Sequence, residues 1–353
     1  MEKRSSKVRC ELGASQSFRV VLYGLGAIGI GTGKLVLERE NLSLIGAVDI
    51  DERKAGKHLY ELIGLEGRSG IIVRKTLEEV LSVSGKPDVV LHTTGSYLQR
   101  IYPQLAEIVS AGINVISSAE ELLYPYLRNP ELADELDALA KSNGVTVLGT
   151  GVNPGFVMDA LPIVLSGACQ QVDRVEAVRV VDVSTRREAL QEKVGAGLTV
   201  EQFEQKIAEG TFGHVGLAES LALVAVGMGW ELDTIEEKIE PAVAREAMPD
   251  MGIEKGDVTG IKQVASGLKD GKELIRLDLE ISAGAEDPRD SITIYGKPDI
   301  KMSISSGTAG DLATAAALVN VIPQVVNAQP GLAAMGSEIF PRYAPSVSIR
   351  MKF

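Results

Sequence analysis

Two short polar stretches have the make-up of a reaction centre. Glu120-Glu121 directly follows the apolar run Asn114-Val-Ile-Ser117, and Asn153-Pro154-Gly155-Phe156 follows Val145–Thr150. A carboxylate at a strand end, facing a partly dry cleft, has its pKa raised by burial and can exchange protons near neutrality. Taken alone, the Glu pair equally suits the acidic first turn of a helix before Leu122-Leu123-Tyr124. Asn153 offers an amide for a carboxamide or substrate while Pro154 and Gly155 fix the turn; a domain-crossing turn with Asn as helix cap uses the same residues. His214, in Gly213-His-Val-Gly216, is a candidate for the substrate pocket, with a structural role as the alternative. His92 reads as structural and His58 as exposed. Arg174, Arg179, Arg186, Arg187 and Lys193 could meet a substrate carboxylate or form a solvated sheet rim. No Ser-His-Asp set, Walker lysine or metal-ligand spacing is present, so hydrolase, kinase and metalloenzyme chemistry find no support and no metal site is expected.

The element that must position these groups is Phe18–Gly29. Val20-Val21-Leu22-Tyr23 reads as a strand, Gly24-Leu-Gly26-Ala27-Ile28-Gly29 as a glycine turn, and the residues to about Arg39 as a helix. In such a turn the first glycine permits the bend, the second lets a pyrophosphate approach the backbone, and the third lets helix and strand pack closely. An acidic residue, Asp49, ends the next strand (42–49), as a dinucleotide fold requires. Asp49 suits the ribose hydroxyls of NAD, whereas Arg53, Lys54 and Lys57 could meet the 2′-phosphate of NADP; both cofactors stay open.

Strands and helices then alternate as far as Thr150. Strands are expected at 71–74, 87–94, 113–117 and 145–150, with helices at 76–84, 97–111 and 130–143. This pattern predicts a Rossmann-type doubly wound parallel sheet, with ligands beyond the carboxyl ends of its strands. Thr93-Thr94-Gly95-Ser96, Ser117-Ser118-Ala119-Glu120-Glu121 and Gly149–Phe156 converge there.

From Asp159 the texture changes. Helices are expected at 160–168, 199–209 and 217–230, and strands at 172–183, 234–247, 258–268, 273–282 and 291–303, with Asp270-Gly271 as a hairpin turn. The α/β domain is thus expected to be joined by a second, α+β domain with an antiparallel sheet. The boundaries read as a poorly ordered polar tail (1–17), a dinucleotide-binding domain (18–156), a substrate and dimerisation domain (157–305), and a C-terminal helix and tail (306–353) returning to the first domain. Helix 310–327 supplies that return, and the chain from Pro330 reads as irregular.

Composition narrows the partners. The 353 residues carry a net charge of −12 with no basic block, so nucleic acid and anionic membranes are not expected to bind; a small molecule is the natural partner. No apolar run reaches spanning length, and the N-terminus lacks a signal-peptide core. Cys10 and Cys169 offer no disulfide framework, which fits a cytoplasmic protein.

With these residues in place, the chain resembles the amine dehydrogenase and 2,4-diaminopentanoate dehydrogenase family, relatives of dihydrodipicolinate reductase. The resemblance runs from about residue 18 to 335. Its carriers are VVLYGLGAIG, GAVDID with GKHLYELIG, INVISSAEELLYP, LGTGVNPGFVMD, STRREALQEKVGAGLT, GHVGLAES and GDLATAAALVNVIPQVVNAQPGL. It implies NAD(P)H-dependent amination of a carbonyl compound with ammonia, or the reverse deamination of a primary amine, by a homodimer. It implies hydride transfer at nicotinamide C4, with the family's glutamate at Glu120 or Glu121, Glu120 being preferred. That carboxylate would orient ammonia, accept its proton and stabilise the iminium. Arg179 would anchor the carboxylate of a diamino acid, while Phe156, Val157 and Met158 would wall an aliphatic pocket. The alternatives are a 2,4-diaminopentanoate dehydrogenase proper, an imine reductase of the dihydrodipicolinate reductase type, whose His-His loop and Lys-Asp-Ala-Pro-Ser-Gly-Thr stretch are missing, and a non-catalytic NAD(P)-sensing protein. A homoserine dehydrogenase would want lysine at position 120.

Overall fold

The computed structural model describes residues 11–13, 16–67, 70–184, 188–210, 212–344 and 348–350. In chain order the first half runs β1 (Glu11–Gly13), β2 (Phe18–Tyr23), α1 (Ala27–Leu37), β3 (Leu42–Val48), α2 (Leu59–Ile63), α3 (Leu77–Ser84), β4 (Val89–His92), α4 (Leu98–Ser110), β5 (Asn114–Ser117), α5 (Pro130–Asn143) and β6 (Thr146–Gly149). The second half follows with α6 (Ala160–Ser166), β7 (Gln171–Asp182), α7 (Glu188–Lys193), α8 (Val200–Ala208), α9 (Leu217–Met228), β8 (Thr234–Val243), β9 (Val258–Lys269), β10 (Lys272–Ser282), β11 (Arg289–Lys297) and β12 (Ile300–Ser305). The chain closes with α10 (Gly310–Asn320), α11 (Ile322–Val326), β13 (Gly331–Ala333) and β14 (Ser348–Arg350).

The first sheet is parallel, in the order β13-β6-β5-β4-β2-β3. Val20, Val21, Leu22, Val89, Val90, Leu91, Val115, Ile116, Val147 and Leu148 are all buried, because a parallel sheet carries helices on both faces and has no solvent side. Local chemistry sets the helix ends: the Thr76 hydroxyl accepts from the Glu79 N–H at 3.2 Å, and Gly144 closes α5 in the left-handed conformation. Strand order turns back between β2 and β4, placing a crevice beyond their carboxyl ends.

The second sheet, in the order β12-β11-β7-β10-β9-β8, is mixed and not antiparallel throughout. β10 lies parallel to β7, from Ile275 opposite Val175 to Ser282 opposite Asp182, while its other pairs are antiparallel. Alternation along a strand shows which side chains share a face but carries no information on partner direction. Here α7–α9 and the β8–β9 pair intervene between β7 and β10, long enough for a parallel return. One face, with Val175, Ala177, Leu277 and Leu279, packs under α6 and α9. Asp270 and Gly271 both take positive φ, as a tight hairpin turn demands.

Three further expectations are corrected. The strand expected at 291–303 is two strands separated at Pro298, where Gly296 N–H turns onto Asp299 Oδ1 at 2.8 Å. Residues 71–74 form isolated bridges only, Val48 with Arg74 and His58 with Ile72. The region after Pro330 is not wholly irregular: β13 adds a sixth strand beside β6, with Gly331 opposite Thr146. Within the segment read as a tail, Glu11–Gly13 pairs antiparallel with Ser348–Arg350; residues 1–10 lie outside the described residues. Helix α10 crosses α1, with Gly31 beside Ala315. Arg128, between β5 and α5, bridges to Glu219 on α9 (2.6 Å) and Glu237 on β8 (3.0 Å), joining the two halves. Among the described residues no helix is long and apolar enough to cross a membrane.

Candidate active site

A crevice runs along the carboxyl ends of the first sheet as two cavities sharing Gly26 and Thr93–Ser96. The larger, about 550 Å³, lies toward β3 and is bordered by Gly24, Gly26, Asp49, Ile50, Lys54, Tyr97 and Arg100, among others. The other, about 390 Å³, faces the second half of the chain and is bordered by Ala27, Ile28, Ser118, Glu120, Asn153, Lys193, Asp311 and Thr314.

The glycines divide the work. Gly24 takes φ +96° and its carbonyl accepts from Thr93 Oγ1 at 2.8 Å. A Cβ on Gly29 would stand 2.0 Å from the Gly24 carbonyl oxygen, so this position serves helix–strand contact. Gly26 has nothing within 4 Å of its missing Cβ: its open side is the crevice.

Asp49 accepts from Leu25 N–H (2.8 Å), Asp51 N–H (2.9 Å) and Lys54 Nζ (2.9 Å). Burial pushes this carboxyl up, but the Asp51 N–H, the Lys54 ammonium and the Leu25 N–H outweigh it and hold it below the ordinary value. Of the bases after Asp49, Lys54 rather than Arg53 borders the cavity, with Arg100 of α4 also on its wall. Arg53 is exposed and folds back onto Asp51 at 2.8 Å.

The Glu pair is parted. Glu120 borders the second cavity. Glu121 turns inward, 8 % exposed, where its Oε2 accepts from Leu98 N–H at the start of α4 (2.7 Å) and from Asn129 Nδ2 (3.3 Å). It secures a helix start, and among the described residues Glu120 and Asp311 are the carboxylates on this cavity. Asn153 Nδ2 donates to His214 Nε2 at 3.2 Å, while its Oδ1 is buried without a partner. His214 therefore stands behind Asn153 instead of on the cavity wall. Behind the same turn, buried Asp159 accepts from Gly155 N–H (2.8 Å), Ala160 N–H (2.5 Å) and the Ser220 hydroxyl (2.6 Å).

Two expected substrate groups stand apart from the crevice. Arg179 is buried and pairs with Asp290, its cross-strand neighbour, at 2.5 Å and with the Thr308 carbonyl at 2.8 Å. Phe156 borders a separate apolar cavity with Ala313, Ala317 and Met335. Arg186 and Arg187 lie outside the described residues. Asp311 and Thr314, at the start of α10, and the Tyr97–Arg100 stack (5.1 Å) were not singled out from the sequence. Only the return of α10 over the crevice brings the first pair to the site.

Residues 156–344 match the model of the 2,4-diaminopentanoate dehydrogenase C-terminal domain. A 2,4-diaminopentanoate dehydrogenase of Acetoanaerobium sticklandii is 37% identical over 329 residues, covering 91% of this chain and 93% of its own. The chain belongs to the 2,4-diaminopentanoate dehydrogenase family. An amine dehydrogenase of Streptomyces virginiae is 25% identical, covering 88% of this chain and 93% of its own. The solved amine dehydrogenase from Mycobacterium smegmatis superposes with a TM-score of 0.81 at 27% identity, covering 95% of this chain and 98% of that one. Dihydrodipicolinate reductase from Paenisporosarcina sp. TG-14 shares the fold, with a TM-score of 0.51 at 14% identity, covering 90% of this chain and 97% of that one.

This member of the diaminopentanoate dehydrogenase family is therefore an oxidoreductase that uses a nicotinamide dinucleotide, and its residues fit that cofactor. The bare side of Gly26 leaves room for a pyrophosphate at the α1 N-terminus, and Asp49 sits where ribose hydroxyls are read. The orphaned Oδ1 of Asn153 would accept from a carboxamide N–H. Burial holds His92 down to about 4, against a weaker upward pull from its hydrogen bond to Gln104. Burial, helped by the charges of Lys193 and Arg179, holds His214 down to about 3. Both rings are neutral in the folded protein, whereas unfolding restores a value of 6.5. The unfolded state then binds more protons as pH falls, so stability present above that value is lost on acidification through the folded values. Denaturant midpoints are expected to drop from pH 7 to pH 5; a flat profile would show that both rings titrate normally.

Proposed function

We propose that the protein catalyses reversible NAD(P)-dependent deamination of a primary amine, in the reductive direction joining a carbonyl compound and ammonia, as a cytoplasmic homodimer. The observation that supports this reading is the placement of Glu120: a half-buried carboxylate on the crevice beside Asn153, with its neighbour Glu121 tied off elsewhere. The bound dinucleotide supplies or removes the hydride. Glu120 accepts an N–H of ammonia, aims the nitrogen lone pair at the carbonyl carbon, and takes the proton released on attack. Returned to the carbinolamine hydroxyl, that proton lets the carbonyl oxygen leave as water, and the carboxylate so restored faces the cationic iminium in a site of low dielectric. Asn153, braced by His214, fixes the geometry opposite.

Lys193 suggests which amine. A substrate carrying a carboxylate finds the Lys193 ammonium on the cavity wall. Lys193, not the buried Arg179, is then the carboxylate anchor, and an amine that carries a carboxylate is favoured over a plain aliphatic amine.

The test is a panel of diamino acids and short aliphatic amines with NAD⁺ and NADP⁺ at alkaline pH, repeated in reverse with ketones and ammonia. Replacing Lys193 with Ala should raise KM for carboxylated substrates about 10- to 100-fold, the loss of one charge-assisted hydrogen bond. Unchanged KM removes Lys193 from the anchor role. Dinucleotide binding without turnover of any pair on the panel points to a sensor.

A further inference from the structure

His92 lies fully buried at the end of β4, outside both cavities, yet its ring touches both loops that build the crevice. Nε2 stands 2.8 Å from Gln104 Oε1 and 2.9 Å from Thr94 Oγ1; Nδ1 stands 2.9 Å from Ser117 Oγ. Thr94 borders both cavities. Ser117 ends β5, and its Oγ accepts from the N–H of Ala119, the residue before Glu120. The protons can be assigned. Thr94 donates to Gln104 Oε1 at 2.6 Å, so that oxygen is an acceptor and His92 carries its hydrogen on Nε2. Bare Nδ1 then accepts the Ser117 hydroxyl proton, leaving the Ser117 oxygen free to accept from Ala119. Every group in the chain is satisfied by a neutral ring.

We infer that His92 is a positioning residue with two separable arms, its Nε2 side setting the dinucleotide-facing loop at Thr94 and its Nδ1 side setting the turn that presents Glu120. The second arm rests on the proposed role of Glu120; the first does not. A histidine that merely filled the core would need neither polar arm. An apolar ring would serve, and its removal would weaken binding and turnover only as far as it weakened the fold.

Two substitutions divide the arms. His92→Asn keeps an acceptor near the Nδ1 position and loses the Nε2 donor. His92→Gln keeps an amide donor reaching toward Gln104 and loses the acceptor for Ser117. The Asn variant is expected to raise dinucleotide Kd about tenfold, measured by titration without amine, with kcat within about threefold of the parent. The Gln variant should show the opposite: Kd within about threefold and kcat at saturating cofactor lowered about tenfold. Should the ring substitutions fail to fold, Ser117→Ala carries the second arm by itself, lowering kcat alone. Kd and kcat moving together, in step with Tm, would overturn the inference, as would Ser117→Ala with undiminished kcat. If the parent turned over no amine, the Kd contrast between Asn and Gln would still decide the first arm, so the two failures read differently.

Discussion

Glu120→Gln is expected to lower kcat by about 10²–10⁴, the range that a positioned proton-transfer group contributes, with dinucleotide Kd within about threefold of the parent. The amide keeps the size of the side chain and cannot take a proton. Glu121→Ala gives the reverse pattern. It strips the acceptor from Leu98 N–H and Asn129, which costs about 1–3 kcal/mol and lowers Tm, while kcat in the folded fraction stays near the parent value. Steady-state kinetics beside thermal melts separate the two carboxylates. Full turnover in Glu120→Gln would end the proton-transfer assignment.

Gly26→Ala and Gly29→Ala should fail in different ways. Gly26 has φ −71° and open space where a Cβ would go, so alanine there folds with an unchanged Tm. The added methyl instead enters the crevice, and dinucleotide affinity should fall about tenfold or more. At Gly29 the Cβ would sit 2.0 Å from the Gly24 carbonyl and 2.7 Å from Thr93 Oγ1, both fixed by the strand ends. Helix α1 has to shift, so stability and binding fall together, with a stability loss of about 1–3 kcal/mol or more. Calorimetric titration with a melt on each variant distinguishes them. A normal Tm in Gly29→Ala would show that the turn has slack its geometry does not suggest.

The first half of the fold was legible because its signals are local. A β-branched run, a glycine turn and an acidic residue at the next strand end define a βαβ unit wherever they occur, and caps such as Thr76 and Gly144 mark helix ends within a few residues. The mixed second sheet was not legible, since β7 meets β10 across about a hundred residues and side-chain alternation is the same for either strand direction. The site divided in the same way. Glu120, Asn153 and the loop from Thr93 follow strand ends, and strand ends in a parallel sheet all point to one edge. Arg179 is correct in charge for an anchor, but the register that puts Asp290 opposite it is a tertiary fact, and a buried ion pair leaves no charge to spare. Lys54 replaced Arg53 on the cavity because one residue's shift along a turn reverses which side chain faces inward.

The sixth strand of the dinucleotide sheet has a temporal consequence. β13 comes from residues 331–333, while its neighbour β6 ends at Gly149, so the whole second sheet is translated between two strands that lie side by side. On the ribosome the nucleotide-binding half must wait, with one edge bare, until nearly all of the chain has emerged. The nucleotide-binding half is not a module that completes itself in order of synthesis, and a nascent chain cut short before α10 would offer the dinucleotide only an unfinished cradle.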